Sequence, residues 1–195
     1  MVNRRSSGNS GIRLARKLLG YTRLEPENEC LDVGCGRGVV SRFLATEYRA
    51  RVTGIDIDIE ELEIARKTGN GANVQFVEAD ARHLPFEDRS LDVVIMFGVL
   101  HHMANWQKAV LEAGRVLRVD GVLVLAELVY PDWITSLDER SVFKFGLYTL
   151  DINQLVRTLQ DEGCVTVYAD QKKRFLWQEF EGVFQKKWEK AWSRV

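Results

Sequence analysis

Two rhythms of apolar residues alternate along the chain. Short apolar runs stand at 29–33 (ECLDV), 51–55 (RVTGI), 73–78 (NVQFVE), 91–97 (LDVVIMF) and 122–126 (VLVLA). The runs at 91–97 and 122–126 do not alternate with polar residues, which predicts strands buried on both faces. Between the runs the spacing turns helical. Ile12, Leu14, Ala15, Leu18 and Leu19 predict a helix over about 11–20 with Ser10 as its cap. Further helices are predicted at about 38–47, 59–68, 105–117 and 150–162. Asp58 reads as an N-cap, with Glu61 completing a capping box. Gly69 and Gly71 suit that helix's end. Asp120 and Gly121 read as a turn, Thr149 as the start of the last helix and Gly163 as its end. Residues 164–169 and about 180–187 read as two final strands with no helix between them.

Strand and helix in alternation predict an α/β fold, a three-layer doubly wound Rossmann-like sheet. Seven strands are expected, mostly parallel, with a C-terminal antiparallel hairpin at one edge. Ligands of such sheets bind at the C-terminal strand ends, where strand order reverses. No repeat, low-complexity tract or Pro-rich linker divides the chain, so residues 1–195 read as one domain. The polar, small-residue start, 1–10 (MVNRRSSGNS), is expected to be disordered.

Composition narrows the class. A net charge of −1 gives no electrostatic case for a nucleic-acid or acidic-membrane partner. Lys172, Lys173, Arg174, Lys186, Lys187 and Lys190 make the C-terminal part basic, and read most simply as a solvated face. The three cysteines, Cys30, Cys35 and Cys164, are odd in number and lack paired CxxC spacing. That argues against a disulfide framework or zinc site and fits reduced thiols in a cytoplasm. Arg4 and Arg5 have no apolar stretch behind them, so no secretory signal is expected. No apolar run is long enough to span a bilayer.

The candidate chemistry begins at 31–38, LDVGCGRG. Gly34, Gly36 and Gly38 permit a sharp turn and close approach of a ligand to the main chain. The helix behind offers free N–H groups and a positive dipole end. A tight turn without ligand would show the same glycines. A dinucleotide loop has the pattern G-x-G-x-x-G, and its third glycine would fall where Val39 stands. Asp32, two residues before the first glycine, suits a ligand carrying an ammonium group rather than a pyrophosphate.

With these residues the chain resembles the class I S-adenosylmethionine-dependent methyltransferases, in the branch (methyltransferase type 11) of ubiquinone, menaquinone and many natural-product enzymes. Five segments carry the likeness in order: LDVGCGRG, then VTGIDID (52–58), FVEADARHLPF (76–86), SLDVVIMFGVLHHM (90–103) and VLRVDGVLVLAEL (116–128). The fifth departs from the family in keeping only one of two glycines, Gly121. The resemblance implies S-adenosylmethionine as cofactor and S-adenosylhomocysteine as product. It places Asp32, Gly34, Cys35, Gly36 and Gly38 at the cofactor's amino-acid end and Asp56 on the ribose. Ile57 is implied on the adenine face, Asp80 at the adenine amino group and the Ala81 N–H at a ring nitrogen. Phe97 and Gly98 are implied beside the methionine moiety. Arg82 and His83 are expected at the surface.

Two adjacent histidines pose the catalytic question. No metal is expected at His101 and His102, because neighbouring side chains point apart and no acidic or cysteine partner is spaced for one. His101 follows the fourth strand and Glu127 ends the fifth, so both are expected in one cleft. A histidine oriented by a carboxylate is a candidate general base. His102 could take that role instead, and either ring could simply shape the pocket.

The acceptor side says less. In this fold the insertion at 128–148 is expected to hold the acceptor, with Tyr130, Trp133, Phe143, Phe145 and Tyr148 as aromatic surface. Tyr21 is a candidate cover for the cofactor, and Trp177, Trp188 and Trp192 mark a contact or flap. The leading expectation is a methyltransferase for a small-molecule acceptor, with no nucleic-acid partner, as monomer or homodimer. A protein or RNA methyltransferase and a non-catalytic cofactor-binding module are the alternatives.

Overall fold

The computed structural model describes residues 4–69, 71, 73–131 and 148–188. Seven strands form one sheet: β1 (Glu29–Val33), β2 (Arg51–Asp56), β3 (Val74–Glu78), β4 (Leu91–Phe97), β5 (Leu117–Val129), β6 (Cys164–Lys173) and β7 (Gln178–Lys186). Their order across the sheet is β3-β2-β1-β4-β5-β7-β6. Strands β1 to β5 pair in parallel, and β7 is antiparallel to both β5 and β6. The predicted hairpin is therefore present, with its second strand inserted next to β5. Chain order reverses at β1, between β2 and β4, so β1 and β4 part their loops to opposite sides.

Among the described residues the α-helices are α1 (Arg4–Leu19), α2 (Val39–Glu47), α3 (Ile59–Lys67), α4 (Trp106–Val116) and α5 (Ile152–Asp161). Alternate strand residues feed two separate cores. Cys30, Val93, Ile95 and Val124 pack with Leu18, Phe43, Leu44 and Leu62 of α1 to α3. Leu31, Val94, Met96 and Leu125 pack with Ala109, Val110 and Leu155 of α4 and α5. That two-sided burial is why β4 and β5 carry unbroken apolar runs.

Several local expectations are corrected. The first helix starts at Arg4, not near 11, so most of the segment expected to be disordered is helical. Residues 1–3 of that segment lie outside the described ones. Asp120 and Gly121 do not end a turn before β5; they form an irregularity within it. The register jumps from Leu91↔Leu117 to Val93↔Val122, and Asp120 takes φ 64° to absorb the extra residues. Asp151, not Thr149, caps α5, its carboxylate accepting from the Asn153 and Gln154 N–H groups at 2.8 and 3.1 Å. Asp58 caps α3 as predicted. The capping box is not closed, because Glu61 turns to Arg37 at 2.9 Å while the Asp58 N–H bonds Asp56.

Candidate functional site

Three left-handed glycines shape the loop after β1. Gly34, Gly36 and Gly38 have φ of 67°, 49° and 69°. Side chains could not follow: a Cβ on Gly34 would lie 2.4 Å from Val99 Cγ2, and one on Gly38 2.2 Å from Phe76 Cζ. The loop is pinned by the Cys35 N–H to the Ile55 carbonyl at 2.9 Å and by the Gly38 N–H to the Cys35 carbonyl at 2.8 Å.

Asp32 lies beneath this loop and is almost fully buried. Its Oδ2 accepts a hydrogen bond from Ser41 Oγ of α2 at 2.6 Å. Burial pushes its carboxyl up from 3.8 to about 6, against the pull of the Ser41 bonds. A carboxyl whose pKa is raised by folding stabilises the fold below its unfolded pKa. That contribution is lost as pH rises through the folded value. Asp32 therefore removes stability between about pH 4 and about pH 6. Thermal melts of Asp32→Asn, which keeps an acceptor for Ser41, are expected to fall less across that window than those of the parent protein.

A cavity of about 640 Å³ opens at the C-terminal ends of β1 to β4. Of the predicted residues, Gly34, Asp56, Ile57, Asp80, Ala81, Gly98 and His102 line it. Asp56 ends β2 and holds the loop as well as the wall. Its Oδ2 accepts from the Gly36 N–H at 2.8 Å and its Oδ1 from the Asp58 N–H at 3.0 Å. Ile57 is 68% exposed, an apolar side chain largely uncovered in the wall. Gly98, at φ 67°, leaves room in the wall: only His101 Cε1, at 3.7 Å, would meet a Cβ there. Asp80 is gripped by Arg82, which donates from Nε at 2.9 Å and from Nη2 at 2.6 Å. That guanidinium holds the Asp80 carboxyl down at about 2.

The other predicted residues stand outside the lining. Asp32, Cys35, Gly36 and Gly38 build the loop from below, and Phe97 packs toward the core on the α1–α3 side. His101 and Glu127 meet, as predicted, but in the interior and not in the cavity. Both are buried, with His101 Nδ1 2.7 Å from Glu127 Oε2. Glu127 Oε1 also accepts from the Val99 and Leu100 N–H groups at 2.8 and 2.9 Å. This carboxylate pins the short helical turn Leu100–His102 that follows β4. The turn then presents the next ring, His102, to the cavity.

Sequence reasoning missed Val33, Ile55, Asp58, Ala79, Arg82, Val99, Met103 and Ala104 in the wall, whereas Tyr148, expected as acceptor-side aromatic surface, does line it. Val33 and Ile55 had a usable signal, since each precedes a predicted site residue at a strand end. Arg82 was expected at the surface beside His83; His83 is exposed, but Arg82 bends back because its own N–H closes a turn on Asp80 Oδ1 at 2.9 Å. Tyr148 reaches the site because its N–H bonds the His101 carbonyl at 2.8 Å. Tyr130 lies edge-on to His101, its ring centroid 5.8 Å away. Tyr21 does not cover the cavity; it stacks on Tyr168 at 4.0 Å. Trp133, Phe143, Phe145 and Trp192 lie outside the described residues.

The wall suits a nucleoside bearing an amino-acid tail. The carboxylate at the end of β2 can accept from vicinal hydroxyls, since four lone-pair sites meet only two N–H groups. Ile57, Ala81 and Met103 offer apolar surface for a flat base. The glycines admit close approach, and the volume falls in the usual range for small-molecule sites, about 300–1,000 Å³.

A family model for a methyltransferase domain matches residues 31–125, from the loop to β5. Residues 31–125 are thus a class I S-adenosylmethionine-dependent methyltransferase domain of the type 11 branch. The 27-O-demethylrifamycin SV methyltransferase of Amycolatopsis mediterranei is 37% identical over 121 residues, 60% of this chain and 44% of that protein. The demethylmenaquinone methyltransferase of Tropheryma whipplei is 39% identical over 122 residues, 61% of this chain and 48% of its own. The chain thus spans about half the length of these curated relatives. A geranyl diphosphate methyltransferase solved in complex with S-adenosylmethionine superposes with TM-score 0.75 at 15% identity, over 90% of this chain and 85% of that one. This methyltransferase family uses S-adenosylmethionine.

Proposed function

We propose that the chain is an S-adenosylmethionine-dependent methyltransferase acting on a small-molecule acceptor in the cytoplasm. The carrying observation is Asp56, a carboxylate in the cavity wall that also holds the glycine loop through the Gly36 N–H. In this reading Asp56 binds the ribose hydroxyls and Ile57 covers the base. Asp80 and the Ala81 N–H meet the adenine edge, with Arg82 closing that side. Gly34 and Gly98 make room for the amino-acid end, and Asp32 acts from beneath the loop rather than on the ligand. When bound, S-adenosylmethionine supplies a methyl group already activated on a sulfonium. The chain's own task is then mainly positioning, with His102 the ring placed to accept an acceptor proton. The relatives' names specify small acceptors, 27-O-demethylrifamycin SV and demethylmenaquinone, which supports the same class here. Three free cysteines fit a reducing compartment.

Calorimetry with S-adenosylmethionine, S-adenosylhomocysteine and NADH tests the cofactor. Binding of the first two and silence from NADH is expected. Binding of NADH alone would overturn the reading.

A further inference from the structure

Phe175 is the most exposed large apolar side chain of the described residues, and two further exposed ones, Leu176 and Trp177, follow it in one turn. Phe175 is 97% exposed, Leu176 40% and Trp177 37%. They form the tip of the β6–β7 hairpin, closed by the Arg174 N–H on the Trp177 carbonyl at 2.8 Å. The sequence through the tip, 171–178, reads QKKRFLWQ: three cations, then three apolar residues, and no carboxylate. Folding leaves Phe175 in water, with Leu176 and Trp177 partly uncovered beside it, when burial would be favourable, so the tip is suited to an environment outside the chain.

We infer that this hairpin tip is a docking element for the interface of an anionic phospholipid bilayer. Aromatic and aliphatic side chains beside lysine and arginine are the mixture that such an interface takes up. The rings lie at the headgroup boundary and the cations meet phosphate. Lys172 faces Asp170 at 3.2 Å and Arg174 faces Glu179 at 2.9 Å. Both pairs are solvent-exposed, so they hold their cations weakly and leave them able to turn to lipid phosphate. A protein partner fits less well, since a stable interface covers about 800 Å² on each side. A projecting four-residue turn does not supply that area.

The sheet register places the tip usefully. Ala126 pairs with Phe97, next to the cavity residue Gly98, while Val129 pairs with Gln178 at the base of the tip. The turn thus starts three residues beyond the level of Phe97. At ~3.3 Å per residue that is about 10 Å further toward the end of the sheet where the cavity opens. A chain docked by this tip turns its cavity toward the lipid. That orientation would serve an acceptor dissolved in the bilayer, a consequence that rests on the function proposed above; the docking itself does not.

Co-sedimentation of the full chain with vesicles tests the proposal. Vesicles of equal parts phosphatidylglycerol and phosphatidylcholine are expected to carry the protein down, and phosphatidylcholine alone to carry less. Phe175→Ser with Leu176→Ser is expected to lower partitioning about tenfold or more, and Lys173→Glu to lower it less. Affinity for S-adenosylmethionine, read by calorimetry, is expected to stay unchanged in both, so loss of vesicle binding and loss of cofactor binding are separate results. Parent protein that stays in the supernatant with both vesicles, or a serine variant that sediments like the parent, would overturn it. So would a vesicle-free dimer that the serine variant dissolves, because the tip's occupant would then be a second copy.

Discussion

Asp56→Ala is expected to weaken S-adenosylmethionine binding by about 1.5–3 kcal/mol, the range for hydrogen bonds to a charged group. That corresponds to roughly a ten- to hundredfold rise in Kd by calorimetry. Two losses combine. The ribose hydroxyls lose their acceptor, and the Gly36 and Asp58 N–H groups, at 2.8 and 3.0 Å, lose theirs. The second loss loosens the middle of a loop that keeps its Cys35–Ile55 and Gly38–Cys35 backbone bonds. Asp58 still caps α3 through the Glu60 and Glu61 N–H groups, so the helix should persist. Asp56→Asn separates the two effects. Its single carbonyl oxygen can keep one backbone bond and some of the affinity, so its Kd should fall between parent and alanine variant. An alanine variant with unchanged Kd would remove Asp56 from the site.

The sequence made the frame legible because each frame residue obeys a local rule. The apolar run LDVVIMF is β4 to the residue, Leu91–Phe97, since nothing but a strand buried on both faces needs it. Alternate glycines marked the loop, because their φ values forbid side chains there. Carboxylates after strands marked Asp56 and Asp80. What stayed hidden depends on where a side chain turns after the backbone is placed. Asp32 and Asp56 both sit at strand ends, yet Asp32 turns down to Ser41 while Asp56 faces the cavity. Residue type is the same in both cases, but Asp32 pairs with Gly54 in the sheet, so Asp56 stands two residues further toward the end where the cavity opens. Arg82 was hidden for a similar reason, its direction being set by a two-residue turn on Asp80.

The β5 and α5 boundaries failed for a different reason. Asp120-Gly121 is a strong turn pair, but β4 pairs on both sides of it, at Leu117 and again at Val122, so the strand continues past it as a bulge. Tertiary pairing outweighed the local preference. At α5, Thr149 is the start expected from the sequence, but the Asp151 carboxylate reaches two N–H groups and caps the helix two residues later.

Glu127→Ala is expected to be the most damaging single change in the site. Glu127 is 3% exposed and accepts three hydrogen bonds, from Val99 N–H, Leu100 N–H and His101 Nδ1. Removing it leaves three buried donors facing a hole. Breaking a buried, hydrogen-bonded pair from one side costs about 3–5 kcal/mol. For a chain of this size that is a Tm lower by roughly 6–20 °C in a thermal melt. Glu127→Gln discriminates between the two roles open to the pair. Its carbonyl oxygen can still take both backbone N–H groups, so most of the Tm should return. Its amide would face His101 Nδ1 with a donor, forcing the proton to the other ring nitrogen. If His101 were the base, that change of tautomer would lower turnover in a folded enzyme. The structure argues otherwise: His101 is locked in the interior as a strut, and His102 is the ring at the cavity. The expected result is that Glu127→Gln retains turnover, while His102→Ala lowers it with cofactor affinity little changed.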